Sequence, residues 1–145
     1  MTSGTNLDFR EELGFAPREE VEAYLVDGKT SQARKLGPLR IEYNTNEPRL
    51  YERFEFTMDD DPANKSVFFG QKGREPFKLE LIKVEPSGRL EADEFQGELE
   101  TEFMKAEAVF SCYSRYSRDR WILTLSIRKN RETPRTASAL PEGWT

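Results

Sequence analysis

Histidine is absent from the 145-residue chain, and cysteine occurs once, at Cys112. Without an imidazole there is no His-based general acid or base, no Ser–His or Cys–His pair and no His-ligated metal. One cysteine cannot close an internal disulfide, which fits a reducing compartment. Cys112 sits inside an apolar, aromatic run, a poor setting for a nucleophile. No segment approaches the apolar length a bilayer needs, and "MTSGTNLDFREEL" has no basic stretch followed by an apolar one. Asp and Glu are many, but none is singled out by its neighbours as half of a hydrolytic pair. The expectation is a soluble cytoplasmic protein, not an enzyme, with no cofactor, no metal and no membrane contact.

Aromatic residues are present in number. Ten Phe, five Tyr and two Trp carry much of a hydrophobic share of only 36%. Each ring buries a large area, so this count can build one core in a chain of single-domain length.

Charge is plentiful and unevenly placed. The net charge is −5, which works against indiscriminate binding to nucleic acid or anionic membrane. Residues 1–105 hold 23 acidic and 15 basic side chains, whereas residues 106–145 hold 4 and 7. The basic part contains "CYSRYSRDRW" (112–121).

Hydrophobic spacing organises the chain. Asn6 is placed to cap a short helix closed by Gly14, with Phe9 and Leu13 on one side. Pro17 suits the first turn of a second helix ending at Asp27-Gly28, on which Val21, Tyr24 and Leu25 share a face. The competing reading alternates Val21, Ala23 and Leu25 as a strand, and the helix is preferred. From residue 38 the period becomes two. "LRIEY" (39–43), "LYERFEFTM" (50–58), "SVFFG" (66–70), "FKLELIKV" (77–84) and "WILTLSI" (121–127) are expected strands. Pro, Gly, Asn and Asp fill the breaks between them. Residues 95–110 fit either period. Two strands, 95–103 and 107–116, are preferred over a helix at 96–110.

The predicted fold is mainly β: an antiparallel sandwich or small β-barrel of six to eight strands with a short helical N-terminal segment. If 96–110 were a helix, the class would be α+β. One globular domain covers 1–131, with a helical segment at 1–28 and a sheet core at 38–129. Residues 132–145 read as a flexible tail.

Four features invite a function. In "CYSRYSRDRW", Tyr113, Arg115, Tyr116, Arg118 and Arg120 lie on a hairpin whose reversal is expected at 117–119. Tyr and Arg also cover exposed strands routinely, and a single-strand-binding sheet needs aromatics on adjacent strands plus a basic groove. A partner protein is the expected occupant, since both residue types are enriched at interfaces. Residues 85–102 hold seven acids and one Arg. On alternating strand positions, Glu94, Glu98, Glu100 and Glu102 would form a negative docking face, or a charged edge that resists aggregation. Asp59, Asp60 and Asp61 resemble a cation loop only loosely, with Glu91, Asp93 and Glu94 as a possible second wall, and a plain turn is preferred. "FFGQKGREP" (68–76) has neither the spacing of a P-loop nor that of a dinucleotide motif.

The functional expectation is a non-catalytic accessory module docking onto a partner protein, or onto its own copy, through these two charged regions. Two alternatives are a barrel carrying a small apolar ligand and single-stranded nucleic acid on the Tyr/Arg hairpin.

Overall fold

The computed structural model describes residues 8–43, 47–57, 62–85, 93–114 and 117–130. One helix, α1 (Phe9–Glu12), precedes the strands β1 (Glu22–Asp27), β2 (Ala33–Pro38), β3 (Arg40–Glu42), β4 (Arg49–Thr57) and β5 (Lys65–Gly70). They are followed by β6 (Phe77–Glu80), β7 (Ile82–Val84), β8 (Glu94–Glu100), β9 (Met104–Ser114) and β10 (Ser117–Lys129). The strands form two antiparallel sheets, a four-stranded one ordered β2-β1-β5-β6 and a six-stranded one ordered β3-β4-β10-β9-β8-β7. The fold is mainly β, as expected, and sandwich-like rather than a closed barrel. No helix among the described residues is long and apolar enough to cross a membrane.

The sheets are laced together at both edges. Leu39 alone separates β2 in one sheet from β3 in the other, and Leu81 alone separates β6 from β7. Both leucines are buried, so each corner is pinned by one apolar side chain. This is why the continuous pattern at 77–84, expected as one strand, is two. Its face changes at Leu81, where Leu79 and Leu81 point inward and Ile82 outward. At the same corner, Gly97 of β8 lies against the backbone of β6: a Cβ built there would stand 2.7 Å from the Glu80 carbonyl oxygen.

Alternation fills the interior. Trp121, Leu123, Leu125 and Ile127 of β10 are buried, as are Ala106, Ala108, Phe110 and Cys112 of β9. Phe110 stacks on Trp121 with centroids 4.7 Å apart and on Phe56 at 5.7 Å. Under the smaller sheet, Phe69 stacks on Phe77 at 5.4 Å, and Phe15 meets both edge-on. Full burial of such a side chain contributes about 1.5–3 kcal/mol.

The N-terminal expectation needs correction. The helical segment at 1–28 reduces to α1, a single turn capped by Asp8, whose carboxylate accepts the Arg10 N–H; Asn6 lies outside the described residues. The expected second helix is the strand β1. Val21, Ala23 and Leu25 are buried while Tyr24 is only half-buried, and two neighbouring strands satisfy the β1 backbone, an outcome that helical propensity at 17–27 could not anticipate. The sheet therefore begins before residue 38, and β2, unexpected from its polar sequence, forms one edge. α1 is far too short to persist alone; Phe9 and Leu13 hold it by burial.

Residues 94–114 are two strands, which removes the α+β alternative. β8 ends at Glu100, however, and not at 103. The Thr101 hydroxyl accepts the N–H groups of Phe103 and Met104, both at 3.2 Å, and closes the turn.

Candidate functional site

β8, β9 and β10 form an extended pair of hairpins whose two ends carry the two charged regions. Eleven residues of β9 separate the β8–β9 turn from the β9–β10 reversal, about 35 Å of extended chain. The acidic and basic regions therefore occupy opposite ends of the six-stranded sheet and do not form one site.

At the basic end, Ser114 pairs with Ser117, and 117–119 belongs to β10 instead of forming the expected turn. The register slips between Ser117 and Trp121, a bulge in β10. Arg115 and Tyr116 lie outside the described residues, and Tyr113 and Arg118 are described by backbone alone. Arg120 is exposed. It lines an open recess of about 160 Å³ with Glu55, Phe56, Thr57, Trp121 and Ile122. The Arg34 guanidinium, from the other sheet, lies 5.0 Å from the Phe56 ring centroid. The acidic loop at Asp59, Asp60 and Asp61 lies outside the described residues, as does Glu91.

At the acidic end, Glu98 and Glu100 project from the outer face of β8, and Glu102 is exposed in the turn. Glu94 does not belong with them. It is 1% exposed, in a cross-strand row between Val84 and Ser111, and accepts the Gln96 amide at 2.7 Å. Gln96, two positions on and flanked by the same two strands, is exposed, so Glu94 alone is withdrawn from the expected docking face.

The turn presents an aromatic residue that falls in alternation with Phe95, Gly97 and Leu99 along the expected strand 95–103. Phe103 is 52% exposed, because the Thr101 turn ends the strand pattern two residues before it. One edge of its ring rests on Gly14, and Asn130 ties its carbonyl and the Glu100 carboxylate to the end of β10. Around it, Glu98 stands opposite Glu107 across the β8–β9 ladder, and Glu100 opposite Lys105. Arg128 pairs with Glu107 at 3.3 Å and Lys129 with Glu12 at 3.4 Å. Like charges directly opposite each other are destabilising, and Arg128 offsets part of the Glu98–Glu107 repulsion. No side-chain clue in the sequence marks Phe103; the signal that could have found it is Thr101, a hydroxyl placed to close a turn.

Comparison with protein-family models, with curated proteins and with solved structures finds no match for this chain.

Proposed function

We propose that the chain is a non-catalytic accessory module that docks a basic partner protein through the acidic turn between β8 and β9. The observation that carries this reading is Phe103, 52% exposed in the turn that also holds exposed Glu102 and that follows exposed Glu98 and Glu100 of β8. Interfaces are dominated by a few aromatic anchors ringed by polar groups, and a surrounding field of one sign steers and orients the partner. The hairpin supplies the ring and an excess of acid, Glu98, Glu100, Glu102 and Glu107 against Lys105 and the Glu107-paired Arg128. The buried interior favours docking over carriage of a small apolar ligand.

The test is affinity capture from the source lysate at low and high salt, with the retained protein identified and its binding then measured on purified components. Expected is a basic protein released by salt and weakened more than tenfold by Phe103→Ala and by the double reversal Glu98→Lys, Glu100→Lys. A partner whose affinity ignores both variants would remove this site from the reading. Retention lost instead with Arg120→Glu would move docking to the basic end.

A further inference from the structure

The outer face of the four-stranded sheet carries an arrangement invisible in the linear sequence. Tyr24 of β1 lies directly opposite Lys35 of β2 on one side and Phe68 of β5 on the other, and Phe68 lies opposite Lys78 of β6. Four adjacent strands thus contribute a single row, Lys35–Tyr24–Phe68–Lys78. Both rings are half-buried. The lysine side chains are 61% and 48% exposed, and the Lys78 ammonium lies 5.9 Å from the Phe68 centroid.

We propose that this row is a platform for a short single-stranded stretch of nucleic acid, two bases stacking on Tyr24 and Phe68 and the flanking phosphates meeting Lys35 and Lys78. Adjacent antiparallel residues stand about 5 Å apart, close enough for successive bases of an opened strand to use successive rings. The lysines are three strand spacings apart, about 14 Å, which brackets a dinucleotide. Every base has a π-face, so stacking of this kind reads strandedness and not sequence. A neutral sugar would use the rings but not a cation on each flank; a duplex would hide its bases.

Two carboxylates limit the affinity. Glu22 accepts the Tyr24 hydroxyl at 3.2 Å and pairs with Lys35 at 3.1 Å, and Glu80 pairs with Lys78 at 3.4 Å. A phosphate must compete with each. The Lys35 ammonium hydrogen-bonds Glu22 and holds its carboxyl below the usual range, so the competition persists at neutral pH. The site is therefore weak and salt-sensitive. It is also separate from the acidic turn, so the two readings stand or fall independently.

The experiment is fluorescence anisotropy of a labelled ten-nucleotide oligo-U and oligo-dT with the full chain at 50 and 200 mM salt. Two phosphate contacts predict about a sevenfold loss of affinity between those salt concentrations. Tyr24→Ala and Phe68→Ala are each expected to weaken binding by about tenfold or more, whereas Tyr24→Phe and Phe68→Tyr, which keep the rings, retain it. Glu80→Gln, at an exposed position, and Glu22→Gln, at a half-buried one, are expected to tighten it. Absence of binding at 50 mM salt overturns the proposal. So does equal affinity for duplex, or binding that the ring and carboxylate variants leave unchanged.

Discussion

The side-chain amide of Gln71 and the backbone of Ala16, 55 positions apart in the chain, are joined in both directions. Gln71 Oε1 accepts the Ala16 N–H at 2.9 Å, and Gln71 Nε2 donates to the Ala16 carbonyl at 2.7 Å and to that of Glu19 at 3.1 Å. Gln71 is 4% exposed. It serves the irregular 13–20 segment as a neighbouring strand would serve a strand, and so keeps Phe15 seated on Phe69 and Phe77.

Gln71→Ala leaves two carbonyls and one N–H without these partners. The carbonyl of exposed Glu19 keeps a hydrogen bond from Arg10 at 2.9 Å, and Ala16 is half-buried; at about 0.5–1.5 kcal/mol for each lost hydrogen bond, a loss of roughly 1–2 kcal/mol is expected in urea unfolding. Amide exchange at Ala16 should accelerate more than exchange in β9 or β10. Uniform acceleration would mean that the segment unfolds only with the whole domain.

Gly97→Ala is expected to destabilise by about 1–3 kcal/mol through overpacking, because the new Cβ would meet the Glu80 carbonyl oxygen, which belongs to backbone and cannot swing away. Gly73→Ala is no control for this, since Gly73 has φ +81°. The control is Gly28→Ala, where the new Cβ would stand a looser 3.0 Å from the Asn64 carbonyl oxygen and the loss should be smaller. Thermal denaturation of the two variants decides the order.

Acid stability should report on Asp8. Its side-chain hydrogen bonds from Arg10 outweigh the opposing effect of burial, and with the Arg18 N–H at 2.7 Å they hold the carboxyl at about 2, against an ordinary 3.8. The folded state therefore binds fewer protons than the unfolded state between those values. The stabilisation is fully present above about pH 4 and is lost as pH falls towards 2. After allowance for solvent screening it amounts to roughly 1 kcal/mol. Glu22, Asp27 and Glu42 are also lowered, so the informative comparison is with Asp8→Asn. The melting temperature of the wild type should fall more steeply below pH 4 than that of the variant; parallel curves would exclude Asp8 as a contributor.

Glu98→Lys separates folding from docking. Replacing the Glu98–Glu107 opposition with an attraction should raise stability by about 0.2–1 kcal/mol, while the proposed basic partner should bind several-fold more weakly. A variant both less stable and weaker in binding would point to a damaged fold and would carry no information about the turn.

Period-two spacing was enough to anticipate the strands at 50–57, 66–70 and 121–127, because alternate burial is a local property that the residues of a strand declare themselves. In β10 the same spacing sets Trp121, Leu123, Leu125 and Ile127, all buried, against Thr124 and Ser126. Three things depended on tertiary structure. β1 became a strand because two neighbours satisfied its backbone, against a helical spacing of its own. Glu94 is buried and drops out of the expected docking face, and Phe103 is exposed because a hydroxyl at Thr101 ends the alternation early. The Lys35–Tyr24–Phe68–Lys78 row is the clearest case. Its members are separated by ten residues or more in sequence, and only the register of three ladders, set by long-range pairing, brings them side by side.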